Sequence, residues 1–168
     1  SLKVVVVSSG AINAGSQFLT KKSKYHMGDL QASASLGQPL LINAFSREFE
    51  KHDLNVAQVL LTHDDLKNKS RSYNVRECLM SLINNGVVPI INENDCVSFD
   101  EITVGDNDQL SAMICEILTA DVLCMLTSAD GVFDKDPKLK TAKQFSIISF
   151  DQDLSSIETL SKSSAGRG

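Results

Sequence analysis

Long apolar runs are missing from this 168-residue sequence. A membrane-crossing helix needs ~20 consecutive apolar residues, and no stretch approaches that. The opening Ser1-Leu2-Lys3, with polar Ser8-Ser9-Gly10 soon after, is not read as a secretory signal. An excess of basic charge is missing too: 16 Lys and Arg stand against 21 Asp and Glu. A nucleic-acid binder would normally show a basic face, and a membrane-surface protein a polybasic cluster, so neither partner is expected. The four cysteines, Cys78, Cys96, Cys115 and Cys124, include no C-x-x-C pair. His26, His52 and His63 match no metal spacing. Reduced core or near-core thiols in a cytoplasmic protein, without a metal site, are the expectation. There is no G-x-x-x-x-G-K-[ST] loop, no G-x-G-x-x-G fingerprint and no G-x-S-x-G elbow, so P-loop, Rossmann and hydrolase readings lose ground.

Disorder is excluded by ordinary apolar content, 42%, and modest net charge, −5. The length favours one domain. Short apolar runs alternate with longer helical patterns, which predicts an α/β domain with a mostly parallel sheet. Buried strands are expected at Val4–Val7, Val56–Leu61, Val87–Ile91 and Val122–Leu126. Pro89 is a tension inside the third, because proline prefers sheet edges. Helices are expected over Leu30–Lys51 (Leu36, Leu40, Phe45 and Phe49 on one face), Ser72–Asn85 and Asp106–Ala120. Cys96–Val104 reads as a hairpin or loop, and Asp130-Gly131 as a tight turn. Ile147-Ile148 suggests a strand, Ser155–Lys162 a weak helix, and residues 163–168 a loop.

Ligands of open α/β sheets bind beyond the carboxyl ends of strands, and several apolar runs here end in polar clusters. Val4–Val7 leads into Ser8-Ser9-Gly10, where hydroxyls can donate to a carboxylate; a plain turn is the alternative. Val87–Ile91 leads into Asn92-Glu93-Asn94-Asp95. Four polar residues with two carboxylates are hard to explain as a turn and suit a ligand ammonium. Gly105-Asp106-Asn107-Asp108 opens the third helix, where one member is expected to cap and a spare carboxylate could orient a lysine or a metal. Leu126-Thr127-Ser128 ends the fourth run, as a turn or a nucleotide contact.

Taken in order, these segments resemble the amino acid kinase family, and within it the branch that phosphorylates the γ-carboxylate of glutamate. The resemblance runs from about Val4 to Pro137. It rests on Ser8-Ser9-Gly10-Ala11-Ile12, Gly37-Gln38, Gln58-Val59-Leu60-Leu61-Thr62, and Asp64-Asp65 followed by Arg71. Ile91-Asn92-Glu93-Asn94-Asp95, Gly105-Asp106-Asn107-Asp108, Asp130-Gly131 and Asp136-Pro137 extend it. The resemblance implies a three-layer αβα sandwich, ATP and Mg²⁺ as cofactors, and L-glutamate as acceptor. Glutamyl 5-phosphate for proline biosynthesis is the implied product. It further implies a homo-oligomer and, in many members, feedback inhibition by proline. By position, Ser9, Asp95 and Asn107 match the family's glutamate-binding residues. Thr127 and Ser128 match its ATP-contacting pair, although Ser128 stands where members often carry Asp. Asp108 matches the aspartate that organises two catalytic lysines. Those lysines lie in an opening K-x-G-[ST] strand and a later G-x-G-G-M-x-[TS]-K loop, both outside 1–168, so the chain is read as a partial domain. Two alternatives stay open: a relative with another carboxylate acceptor, and a non-catalytic amino-acid-binding or regulatory domain.

Overall fold

A computed structural model describes residues 2–20, 25–97, 106–127 and 130–153. These fall into two compact units, one running to Leu123 and the other starting at Cys124.

The first unit contains β1 (Val6–Val7), α1 (Ala11–Ser16), α2 (Met27–Glu50), β2 (Asn55–Leu61), α3 (His63–Lys67), α4 (Lys69–Asn84), β3 (Val87–Glu93) and α5 (Asp106–Leu118). Its strands form a parallel sheet in the order β1-β3-β2. Alternate residues of a strand face opposite sides. One side carries Ile91 and Leu61, which pack with Leu66 of α3, Leu79 of α4, and Leu110 and Ile114 of α5. The other side carries Gln58, whose amide donates to Gln38 Oε1 of α2 at 3.2 Å. Helices therefore cover both faces, giving the expected α/β layers around a parallel sheet.

β3 is buried from Val88 to Glu93 and takes Asn92 and Glu93 into the sheet, two residues beyond the expected end. Pro89 sits in this central strand, and the register explains how. Ser8 N–H donates to Ile91 O at 2.8 Å, so Ile91 turns its polar groups toward β1. Pro89, two residues earlier, turns the same way, and Val6 lies opposite Ile90. The missing N–H of proline thus falls just below the level where β1 begins. The β1 ladder starts only at Val6, and Val4 is left exposed. The expected four-residue buried strand is in consequence two half-buried residues.

The helix expected from Leu30 begins at Met27, where His26 N–H donates to Asp29 Oδ2 at 3.0 Å. Its buried stripe is Ser33, Ala34, Gly37 and Gln38, whereas Leu36 and Leu40 are exposed. The reason is close approach: α1 lies directly on α2. A Cβ added at Gly37 would sit 1.7 Å from the Ala11 carbonyl oxygen, and one at Gly15 1.8 Å from that of Ser33. The helix expected from Ser72 starts at Lys69, capped by Asn68, and is preceded by the short, unexpected α3. The third helix ends at Leu118, two residues before the expected end.

Val122–Leu126 is not a strand. Val122 is 80% exposed and Leu126 95%. A parallel strand is held by neighbours along its edges, and among the described residues none pairs with this run. In the second unit, Gly131 (φ 139°) turns the chain into an antiparallel pair, β4 (Val132–Phe133) with β5 (Gln144–Phe145). That pair precedes the strand expected at Ile147-Ile148, and Ile147 is exposed. The cysteines are free thiols as expected, but they are not core residues: Cys78, Cys96 and Cys124 are exposed and Cys115 is half-buried. In α4 the buried position belongs to Leu79 instead. No described helix is long and apolar enough to cross a membrane. The expected helix at 155–162, the loop at 163–168 and most of the loop at 96–104 lie outside the described residues.

The α1–α2 contact gives a signed prediction. Glycine to alanine inside a helix usually gains ~1 kcal/mol from propensity. At Gly37 the obstacle is backbone, which cannot swing aside, and overpacking costs ~1–3 kcal/mol. Gly37→Ala is expected to lower the urea midpoint. Gly28→Ala, where a Cβ meets nothing within 4 Å, is expected not to lower it. Equal midpoints for the two variants would contradict the packing.

The α3 cap gives a second. Asp65 accepts from Thr62 N–H at 2.8 Å, from the Thr62 hydroxyl at 2.7 Å and from Arg71 Nη1 at 3.0 Å. The Thr62 backbone contact first, then its hydroxyl and Arg71, hold the Asp65 carboxyl below its ordinary 3.8. A lowered folded value means the stabilisation is present above that pH and is lost as pH falls below it. Asp65→Asn should therefore lower the melting temperature at neutral pH. The gap from wild type should shrink at about pH 3. Melting curves that stay equally separated at both pH values would exclude this role.

Candidate active site

The three parallel strands bring their carboxyl ends to the same side of the sheet. Past β1, the Ser8–Ile91 bond keeps the chain on β3 for one more residue, and Ser9 follows, exposed. Gly10, at φ 98°, then turns the chain into α1. That left-handed backbone favours glycine. Past β3, Asn94 N–H donates to Leu61 O at 2.8 Å, tying the chain to the end of β2. Val97 N–H donates to Asn94 O at 3.1 Å and closes the turn that carries half-buried Asp95.

Asn107 and Asp108 lie in the first turn of α5. The direction of that helix follows from its contacts. Leu110 packs with Leu61 and Ile91 near the strand ends, while Leu118 lines a groove with Leu2 and Lys3 at the start of the chain. The first turn therefore stands at the carboxyl end of the sheet. Asn107 Oδ1 is buried and has no hydrogen-bond partner among the described residues. Asp108 is exposed, and its carbonyl accepts from Ser111 Oγ at 2.7 Å.

Ser9, Asp95, Asn107 and Asp108 thus share one end of the sheet. Thr127 is exposed in the second unit, and Ser128 lies outside the described residues. The shared set has complementary chemistry: a hydroxyl and an amide can donate to a carboxylate, and a carboxylate can pair with an ammonium. Among the described residues, no group of three or more His, Cys, Asp or Glu side chains is placed to hold a metal ion.

Sequence reasoning missed His63 beneath this set, and of the two carboxylates expected to suit an ammonium it is Glu93 that the structure buries beside that imidazole. His63 Nδ1 lies 3.1 Å from Glu93 Oε2, with both side chains largely buried. Gln38, itself buried, donates to the Glu93 carbonyl at 3.3 Å. His63 stands two residues past the end of β2, so the strand-end rule could have found it. Gln38 gave no such signal, because the apolar spacing of α2 pointed to Leu36 and Leu40 as the inner face.

The sequence pattern of the amino acid kinase family matches residues 1–168. A protein of Teredinibacter turnerae named glutamate 5-kinase is 49% identical over 137 residues, covering 81% of this chain and 37% of that protein. One of the same name from Pseudomonas putida is 49% identical over 138 residues, covering 82% and 37%. Another, from Pseudomonas paraeruginosa, is 43% identical over 172 aligned positions, covering 99% and 46%. The chain spans less than half the length of these curated relatives. A family pattern that matches from end to end, on a parallel sheet covered by helices on both faces, makes this chain a member of the amino acid kinase family.

Proposed function

We propose that the protein transfers the γ-phosphoryl group of ATP to the γ-carboxylate of L-glutamate, yielding glutamyl 5-phosphate for proline biosynthesis. The observation that carries this reading is the strand-end set. A carboxylate, a hydroxyl and an amide stand at one end of the sheet in a chain about half identical to proteins named glutamate 5-kinase. An amino-acid acceptor needs that combination. Asp95 pairs with the α-ammonium. Ser9 and Asn107 donate to carboxylate oxygens, and Asn107 Oδ1, buried without a described partner, is available to an ammonium hydrogen. A nucleoside-monophosphate acceptor would call for arginines on its phosphate, and the set has none.

Phosphoryl transfer asks the protein for positioning and for neutralisation of spreading negative charge. In this reading Asp108, exposed at the head of α5, orients cationic side chains toward the transferring group. Thr127 and Ser128 contact the nucleotide. Mg²⁺ usually binds through substrate phosphates and one or two carboxylates rather than a dedicated protein cage. The described residues, with one exposed carboxylate at the helix head, fit a metal delivered on ATP, where it would neutralise phosphate charge. Feedback by proline, self-association and a cytoplasmic location belong to the same proposal.

The test is an acceptor panel on the protein as its gene encodes it, with ATP, Mg²⁺ and glutamate, N-acetylglutamate or aspartate. ADP release with glutamate alone is expected; release with another acceptor instead would overturn the reading. Asp95→Asn keeps size and removes charge. Losing one member of a buried charged pair costs roughly 2–5 kcal/mol, so half-saturating glutamate should rise steeply while ATP saturation holds. Asp108→Ala should lower turnover far more than it weakens glutamate binding. Turnover within about threefold of wild type, under ~0.7 kcal/mol, would leave Asp108 as a helix-end residue without a part in transfer.

A further inference from the structure

The turn that carries Asp95 meets α2 on both sides. Before it, Gln38 Nε2 donates to the Glu93 carbonyl at 3.3 Å. After it, Cys96 Sγ and Ser35 Oγ are 3.0 Å apart. Ser35 and Gln38 are three residues apart on α2 and so share one side of that helix. Gly37, beside Gln38, serves the other strand end. A Cβ there would sit 1.7 Å from the carbonyl oxygen of Ala11, the residue that opens α1 just past Ser9-Gly10. Successive helix residues point about 100° apart, so Gly37 faces α1 while Gln38 faces the sheet. One stretch of α2 is therefore in contact with both segments that leave the sheet toward the site.

Gln38 is 6% exposed, and both ends of its amide are used. A carbonyl oxygen can only accept, so the Glu93 contact places the Gln38 nitrogen on that side. Its oxygen then faces β2, where Gln58 Nε2 donates to it at 3.2 Å. Gln58 thus fixes the amide from the far end. The turn has other bonds as well: Glu93 N–H donates to Asn92 Oδ1 at 2.9 Å, and Asn94 N–H to Leu61 O at 2.8 Å. Those bonds hold it to β3 and β2. Gln38 adds a tie to α2, the helix on which α1 lies. An apolar side chain would fill the same space without the desolvation cost of an amide; the amide supplies direction.

We propose that Gln38, oriented by Gln58, is a positioning residue for the amino-acid substrate: it sets the spacing between the Asp95 turn and the Ser9 turn. This rests on the reading above, in which Asp95 meets the glutamate ammonium and Ser9 a carboxylate. Gln38 does not touch substrate. Its amide fixes the exit of β3 to the same helix that fixes the start of α1. Without it the turn stays on the sheet but is free to shift relative to Ser9. Glutamate must reach both groups at once, and so binds less well. The nucleotide contacts, on other segments, are unaffected.

The test uses the protein as its gene encodes it, with glutamate and ATP saturation measured separately. Gln38→Met keeps length and helix propensity and removes both amide bonds. It should raise the glutamate KM about fivefold or more, as expected when buried hydrogen-bonding groups lose a partner. The ATP KM should stay within about twofold, and kcat should fall less than the glutamate KM rises. Loss of stability alone would lower the active fraction, and with it the maximal rate, and would leave both KM values in place. Gln58→Met should raise the glutamate KM about threefold alone and no further when added to Gln38→Met, because residues in one hydrogen-bond network are not additive. An unchanged glutamate KM in folded Gln38→Met overturns the inference. So do two KM values that rise together, and effects of the two substitutions that multiply. If Gln38→Met does not fold, Gln58→Met decides. A higher glutamate KM with ATP saturation held supports the inference, and unchanged saturation overturns it. A wild-type protein inert toward glutamate would overturn the underlying reading as well. An active wild type with indifferent variants would overturn this inference alone.

Discussion

The first unit depends on one strand buried on both faces and paired on both edges. β3 takes β1 on one side and β2 on the other, and everything placed at the site is referred to it. Ser9 is positioned because Ser8 bonds to Ile91, and Asp95 because Asn94 bonds to Leu61 on the neighbouring strand. Such a strand must be almost continuously apolar, and Val88 to Ile91 satisfies this. The same burial makes its polar ending informative. Asn92 and Glu93 are 3% and 7% exposed, a position that polar residues seldom hold without partners.

Much of this was legible in the sequence. The runs at Val56–Leu61 and Val87–Ile91 announce parallel strands, and both are present; β3 is buried as expected, whereas β2 is half-buried, with Gln58 exposed and only Leu61 fully buried. The helical spacing over α2, α4 and α5 was readable to within a few residues. So was the rule that polar clusters follow strands, which marks Ser8-Ser9-Gly10 and Asn92-Glu93-Asn94-Asp95, while the resemblance to the family singles out Ser9, Asp95, Asn107 and Asp108. Three features were not legible, each for a physical reason. Periodicity assigned the inner face of α2 to its large apolar residues. Close backbone approach at Gly15 and Gly37 reserved that face for small side chains instead. Composition marked Val122–Leu126 as a strand, but a strand also needs a pairing partner, which no local pattern can supply. The two-residue length of β1 follows from Pro89 on a neighbouring strand, more than eighty positions away in sequence, and so cannot be read from the valines themselves.

The distribution of buried polar groups separates two demands on the fold. Ser33, Gln38, Asn92, Glu93 and Ser111 are the buried polar residues among those described. Gln38, Asn92 and Glu93 meet at the carboxyl end of β3, and Ser111 caps back onto the turn that holds Asp108. Ser33 lies on α2 where α1 crosses. An apolar side chain in any of these places would avoid a desolvation penalty of roughly 1–3 kcal/mol for each group left imperfectly paired. Stability alone would therefore favour leucine or valine at the end of β3, as it does in the middle of that strand. Hydrogen bonds are directional, and apolar contacts are not. A polar ending fixes the exit angle of the chain where an apolar one would allow it to slide. The site-bearing turn leaves the sheet at the place where the interior changes from apolar packing to directional bonding. The sequence Ile90-Ile91-Asn92-Glu93-Asn94-Asp95 records that change within six residues.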